Sequence, residues 1–185
     1  MKKILITSFE PFGNRTINKS NEISNLLIIK NNLVRKILLP VTYSNFNTLY
    51  NEISEFKPKI LIMFGESPYK EDVSIEFKAK NIMNCSLADN EQVIHKNVII
   101  DNSFSEFLET NFNKDLLKKL IQKYELNEHY DAGGYVCNST YFNALKIIQD
   151  DECYVLFIHL NKDIKNNDIV SEKISRFIEE LSESI

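Results

Sequence analysis

The sequence predicts an α/β domain with helices on both faces of a central sheet. Short β-rich runs alternate with helical stretches from one end of the chain to the other. Two runs, residues 59–64 and 153–160, are almost continuously apolar, which is typical of parallel strands buried on both faces. No linker, repeat or low-complexity tract interrupts the 185 residues, so we predict one domain spanning 1–185.

The first half of the chain contains three predicted strands and two predicted helices. Residues 3–8 are a β-rich run that ends at a loop containing proline and glycine. Residues 20–30 carry apolar side chains at helical spacing, and residues 36–41 are a second apolar run. Helical spacing returns over 43–56, where a Lys-Pro pair ends the helix. The buried strand at 59–64 follows and ends at a glycine.

The second half continues the alternation. Residues 73–82 alternate roughly between apolar and polar and are predicted to be extended. Residues 105–125 have a helical pattern, with part of the segment allowed to be irregular. A buried helix is predicted over 135–148, after two glycines, and the strand at 153–160 follows it. Residues 168–181 carry the apolar spacing of a last amphipathic helix.

Composition limits the function classes. The formal net charge is -4 and the pI is about 5.5, and no basic stripe of the kind that binds nucleic acid is present in the sequence. The apolar run after Lys3 is too short for a signal peptide or a membrane span, which predicts a cytoplasmic protein without membrane association. The odd number of cysteines, three, argues against a disulfide framework. The sequence contains neither a CxxC nor an HExxH motif, which argues against a metal site.

Ligands of open α/β sheets bind beyond the carboxyl ends of the strands. The loops expected there begin near Ser8, Gly65, Asn81 and His159. Cys137 precedes a predicted helix, where the helix dipole favours a thiolate and free backbone N–H groups could hold an oxyanion. The alternative for Cys137 is a small buried hydrophobic residue.

His159 ends an apolar strand, where its imidazole would face a cleft, although a packing role is also open. Glu76 lies in an apolar-leaning stretch and could orient an imidazole, as the third member of a catalytic triad does. Its alternative is a solvated strand residue. His95 and His129 lie in polar surroundings and are predicted to be surface residues. Phe9 and Phe12 flank a proline in a loop, where two aromatic rings could cover a flat ligand or pack into the core.

Four sequence blocks share an order with a known family. Residues 9–13 read FEPFG and are followed by Asn18-Lys19-Ser20 and Glu22; residues 132–138 read AGGYVCN; residues 157–159 read FIH. Glu76 is followed at matching spacing by Ala79, Asn81, Asp89 and Asn90. Together these blocks resemble the pyroglutamyl peptidase I family, also called pyrrolidone-carboxylate peptidases, and they span residues 4 to 160.

The resemblance implies a three-layer α/β/α sandwich with a mostly parallel or mixed central sheet. It implies a cofactor-free cysteine peptidase that removes an N-terminal pyroglutamyl residue from peptides with a blocked N-terminus, and it is compatible with a homo-oligomer. The implied catalytic residues are Cys137, His159 and Glu76. The implied substrate-binding residues are Phe9, Phe12, Glu66 and Asn18.

The chain also departs from the family pattern. Residues 65–70 read GESPYK where the family commonly has GQAGGR, so a carboxylate replaces an amide at Glu66. Phe77 and Ser86 occupy positions that are arginines in the family, and Asn14 replaces a glycine. Three interpretations stay open: a pyroglutamyl peptidase with a remodelled pocket, a cysteine amidase or peptidase with altered N-terminal specificity, and a weakly active binding protein. Retention of the three catalytic residues favours an enzyme.

Overall fold

A six-stranded sheet forms the centre of the computed structural model, which describes residues 1–68, 71–148 and 153–185. The elements in chain order are β1 (Lys3–Phe9), α1 (Lys19–Leu26), β2 (Leu33–Leu39), α2 (Phe46–Phe56), β3 (Ile60–Ser67), β4 (Val73–Glu76), β5 (Lys78–Lys80), β6 (Ile82–Met83), β7 (Val98–Ile99), β8 (Phe107–Glu109), α3 (Lys114–Lys123), β9 (Asn127–His129), α4 (Val136–Ile147), β10 (Tyr154–Asn161) and α5 (Asn167–Glu183).

The strand order of the central sheet is β2-β1-β3-β10-β4-β9. The first four strands run parallel, β4 runs antiparallel to β10, and β9 runs parallel to β4. All eight residues of β3 are buried, as expected for a central parallel strand covered on both faces. The predicted mixed α/β sheet is therefore confirmed.

Two apolar cores lie on opposite faces of this sheet. Alternate residues of a strand point to opposite faces, so Ile62 and Phe64 contribute to one core while Leu61 and Met63 contribute to the other. Helices α1, α3 and α5 cover the first core, and α2 and α4 cover the second. The protein is thus a three-layer α/β/α sandwich, and the face covered by α2 and α4 carries the candidate site.

The predicted helix over 105–125 is wrong in its first half. Residues 107–109 form β8, which pairs with β5 in a small separate sheet, so tertiary pairing overrides the local helical spacing. Helix α3 begins only after Asn113, whose side chain accepts a hydrogen bond from the Leu116 N–H at 3.0 Å. The extended stretch over 73–82 is divided into β4, β5 and β6.

The end of one helix and the presence of two short strands also differ from the prediction. Helix α1 ends at Leu26 rather than near residue 30, because Leu27 is already extended. The sequence pattern missed β7 and β9, which contain two and three residues.

In the described ranges, no helix combines the length and the apolar character that crossing a membrane requires.

Candidate active site

The sulfur of Cys137 lies against the backbone of β3. Cys137 is the second residue of α4, so its backbone N–H is one of those left without an acceptor inside the helix. A Cβ atom built on Gly65 would lie 2.8 Å from Cys137 Sγ and 2.7 Å from Phe157 Cζ. Only glycine therefore allows α4 to bring the thiol this close to the sheet.

His159 occupies the neighbouring position on the same face. In the parallel ladder between β10 and β3, His159 is the direct partner of Gly65. Directly paired residues point to the same face of a sheet, and adjacent strands are about 4.8 Å apart. The imidazole packs beside the Phe157 ring, with centroids 4.8 Å apart. The thiol and the imidazole thus lie side by side beneath the start of α4.

Glu76 completes the group from the other side of β10. Its carboxylate Oε1 lies 2.7 Å from His159 Nδ1, and the side chain is fully buried. An ionised carboxylate can only accept hydrogen bonds, so Nδ1 carries the proton and Nε2 is left as the basic nitrogen. The hydroxyl of Tyr141 in α4 donates to the Glu76 carbonyl oxygen at 3.0 Å, which ties β4 to the helix of Cys137.

A second histidine contacts the same carboxylate. His129 Nδ1 lies 3.0 Å from Glu76 Oε2, and the imidazole is 31% exposed. His129 thus keeps partial exposure at the surface, and the contact with Glu76 is what the sequence did not indicate. The cause is β9, which pairs with β4 and places His129 directly opposite Glu76. Three polar residues without apolar alternation gave no local signal for this strand.

Burial raises the pKa of the Cys137 thiol to about 12, and the negative charge of Glu76 acts in the same direction. The backbone N–H of Cys137 opposes this shift but does not overcome it. This direction is opposite to the one expected from the helix terminus. A raised pKa favours the neutral thiol, so Cys137 needs a base to become a nucleophile.

The two predicted aromatic residues are placed differently. Phe9, at the end of β1, is 1% exposed and belongs to the core under α2 and α4. Phe12 is half-buried in the following loop, and its ring centroid lies 6.0 Å from that of Tyr135. Tyr135 immediately precedes α4, so Phe12 lies on the same side of the molecule as Cys137.

Glu66 points away from Cys137. It pairs with Leu160, whose side chain lies in the core on the opposite face of the sheet. Its buried carboxylate accepts a hydrogen bond from the Lys19 N–H at 2.7 Å and forms an ion pair with Arg15. We therefore revise its predicted role from binding substrate to anchoring the loop that precedes α1.

Asn18 also has its polar atoms engaged within the protein. Its Oδ1 accepts hydrogen bonds from the backbone N–H and the hydroxyl of Ser20, at 3.0 and 2.7 Å, and so caps α1. Its Nδ2 donates to the Glu10 carbonyl at 2.8 Å. Asn18 is buried, and its predicted role in binding substrate is revised to that of a helix cap.

The two positions that lack arginine lie in different surroundings. Phe77 is buried in the core on the face opposite Glu76 and stacks on Tyr130, with centroids 5.0 Å apart. Ser86 is exposed on the surface. Residues 69 and 70 of the altered loop lie outside the described residues. The described part of the chain holds no cluster of three or more acidic, histidine or cysteine side chains suited to a metal ion.

Tyr43 places a buried hydroxyl near this site. Its ring packs edge-on against Tyr135, with centroids 6.0 Å apart, and its backbone N–H donates to Asp89 at 3.0 Å. Burial raises the pKa of Tyr43 to about 12, and the charge of Cys137 is a smaller contribution. Among the described residues, this hydroxyl has no hydrogen-bond partner.

The amino-acid sequence is similar to those of pyroglutamyl peptidases, which are also called pyrrolidone-carboxylate peptidases. The family model for pyroglutamyl peptidase matches residues 2–173. A pyrrolidone-carboxylate peptidase of Fusobacterium nucleatum is 30% identical over 157 residues, which cover 80% of this chain and 72% of that protein. One of Bacillus cereus is 27% identical over 168 residues, which cover 86% of this chain and 78% of that protein.

Solved structures share the fold. Pyrrolidone carboxyl peptidase from Thermococcus litoralis aligns with a TM-score of 0.89 at 23% identity, over 100% of this chain and 94% of that one. Pyroglutamyl peptidase I from Bacillus amyloliquefaciens aligns with a TM-score of 0.86 at 20% identity, over 97% of this chain and 96% of that one.

Replacing Gly65 by alanine is expected to lower the free energy of unfolding by about 2 kcal/mol, because the new methyl group overlaps the buried Phe157 ring and Cys137 Sγ. Urea denaturation measures the change. Met63→Leu conserves volume two residues earlier on the same face and is the control, with an expected loss below about 1.5 kcal/mol. Wild-type stability in Gly65→Ala would show that the thiol is not held against β3.

Replacing Tyr43 by phenylalanine is expected to raise the free energy of unfolding by about 1 kcal/mol, because a buried hydroxyl without a partner is removed. Tyr135→Phe is the matched control. It removes a hydroxyl that donates to the Ala88 carbonyl at 2.8 Å and should lower stability by about 1 kcal/mol. Equal destabilisation of both variants, by thermal or urea denaturation, would contradict the unpaired state of Tyr43.

Proposed function

The chain belongs to the pyroglutamyl peptidase family, a family of cysteine peptidases, and from that premise we propose that it hydrolyses the amide bond after an N-terminal pyroglutamyl residue, with Cys137 as nucleophile. The observation that carries the assignment of roles is the 2.7 Å contact between buried Glu76 and His159, next to the sulfur of Cys137. A nucleophile, a base and a group that orients the base are the parts that thiol acyl transfer requires.

In the first step, His159 Nε2 accepts the Cys137 proton while the sulfur attacks the carbonyl carbon of the pyroglutamyl residue. A C–S bond forms and the carbonyl oxygen becomes an oxyanion. The Cys137 backbone N–H, in the first turn of α4, is a hydrogen-bond donor for that oxygen. Glu76 stabilises the imidazolium that results.

In the second step, His159 gives its proton to the departing amine, and the C–N bond breaks. This leaves a thioester between pyroglutamate and Cys137. A water molecule then attacks the thioester as His159 accepts a proton from it. The C–S bond breaks, the sulfur recovers its proton from His159, and pyroglutamate is released.

The raised thiol pKa supports this order of events. A raised pKa favours the neutral thiol, which suits proton transfer to His159 during the attack. The negative charge of Glu76 opposes a free thiolate, and it favours the imidazolium state of His159 during the attack. The same carboxylate therefore disfavours the free thiolate and stabilises the imidazolium that forms during the attack.

The substrate side of the proposal rests on the loop after β1. Phe12 and Tyr135 form an aromatic pair close to the start of α4, and Phe9 lies buried behind them in the core under α2 and α4. A lactam ring is flat and small, so aromatic surfaces suit it. We propose that Phe12 contacts the lactam ring directly and that the buried Phe9 supports this contact from the core.

The proposed partner is a peptide with a blocked N-terminus. An odd number of cysteines without a CxxC pair argues against a disulfide framework, which supports a cytoplasmic location. Homo-oligomer formation stays a prediction.

A second candidate is a cysteine peptidase with altered N-terminal specificity. Glu66 favours it, because a carboxylate bound to Arg15 and to the Lys19 N–H now anchors the loop that carries Phe12. A changed anchor can alter the shape of the pocket beneath that loop. The two candidates share the same nucleophile and differ in the acyl group that they accept.

Activity on coumarin amides of L-pyroglutamate, L-proline and N-acetyl-alanine separates these candidates. We expect cleavage of the pyroglutamyl amide, and a loss of at least about a thousandfold in kcat/KM in Cys137→Ala. Cys153→Ala, which changes a buried cysteine of the core, is the control and should keep wild-type kinetics. Preference for the L-proline or the N-acetyl-alanine amide would support altered specificity, and normal turnover by Cys137→Ala would exclude this nucleophile.

A further inference from the structure

We propose that His129 is a positioning residue: its Nδ1–H holds the second carboxylate oxygen of Glu76 and thereby fixes the group that orients His159. The role rests on the proposed function, because it concerns the same reaction. It assigns a task to a histidine outside the catalytic triad. The observation that carries it is a carboxylate with each oxygen bonded to a different imidazole, at 2.7 and 3.0 Å.

The backbone holds this arrangement from both sides. Glu76 is paired in register with Phe157 of β10 on one edge and with His129 of β9 on the other. The Phe77 N–H donates to the His129 carbonyl at 2.8 Å, which closes β9 onto β4. Rotation of the carboxylate would therefore weaken two hydrogen bonds at once, and the plane of Glu76 is set by both imidazoles.

The proton on His129 can be located from its neighbours. The Asp131 backbone N–H lies 3.2 Å from the same Nδ1 and can only donate, whereas the Glu76 carboxylate can only accept. One ring nitrogen cannot satisfy both. The contact with Glu76 is shorter and charge-assisted, so it is the stronger hydrogen bond and Nδ1 carries the proton. The Asp131 carboxylate is paired with Lys80 at 2.7 Å instead.

The consequence for the reaction is electrostatic. Glu76 must stay ionised while fully buried, and a hydrogen bond to the charged form of a carboxylate favours that form. It must also keep its orientation while His159 becomes an imidazolium. Without the His129 donor, the imidazolium is less well stabilised in the transition state, whereas substrate binding at Phe12 and Tyr135 is unaffected. Loss of His129 should therefore lower kcat and leave KM nearly unchanged.

The test compares donor-free variants with a variant that keeps the donor. His129→Leu and the smaller His129→Ala remove the N–H, whereas the amide nitrogen of His129→Asn takes nearly the position of Nδ1. Glu128→Leu is the matched control, since this adjacent β9 residue is exposed and pairs with Ile75, which faces the opposite core. The measurements are kcat and KM on the pyroglutamyl amide, and the rate of Cys137 alkylation by iodoacetamide, followed by mass spectrometry.

We expect His129→Leu and His129→Ala to lower kcat about tenfold or more, with KM within about twofold of wild type. His129→Asn should recover most of the loss, and Glu128→Leu should match wild type. Cys137 alkylation should slow in the two donor-free variants only. A purely structural role would instead make Asn as harmful as Ala, and that result, or wild-type kcat and alkylation in both donor-free variants, would overturn the proposal.

Alkylation needs no substrate, so the two proposals can fail separately. A wild-type protein that does not cleave the pyroglutamyl amide, but whose Cys137 alkylation depends on His129, would overturn the proposed function and support the role of His129. Cleavage of the pyroglutamyl amide by wild type, with unchanged kinetics in the donor-free variants, would support the proposed function and overturn the role of His129.

Discussion

A single buried carboxylate organises the candidate site. Glu76 has no exposed surface, yet both of its oxygens are hydrogen-bonded, to His159 on one side and to His129 on the other. Burying an ionised carboxylate is unfavourable unless such partners satisfy it. The strands β10, β4 and β9 lie side by side in the sheet, and each contributes one member of this line of three side chains.

The fold brings the thiol to this line by close approach. Helix α4 packs on the face that Glu76 and His159 share, and Gly65 on β3 leaves the space that the sulfur needs. The same burial that brings Cys137 into contact raises its pKa and so disfavours a free thiolate. Reactivity therefore depends on the orientation of His159, and that orientation depends on Glu76.

The alternation of strands and helices follows from local pattern, but the site residues were singled out by the resemblance to a family, because local pattern alone left a packing or solvated role open for Cys137, His159 and Glu76. Cys137 is the second residue of α4, and His159 lies near the carboxyl end of β10. Glu66 was misplaced because a strand that is apolar on both faces does not reveal which residues face the site, and Gly65 and Glu66 point in opposite directions. His129 was missed because β9 forms only where β4 offers an unpaired edge, a long-range condition that its own residues do not encode.

Catalysis by this site requires Glu76 to hold a proton on His159 Nδ1 and to leave Nε2 free to receive the proton of Cys137. Nitrogen-15 NMR of histidine-labelled protein at neutral pH reads the tautomer directly, with His159→Asn identifying the signal. We expect an Nδ1–H tautomer for His159 and a hydrogen-bonded, downfield-shifted proton on that nitrogen, which is lost in Glu76→Leu. A His159 ring protonated on Nε2, or one whose tautomer does not change in Glu76→Leu, would contradict it.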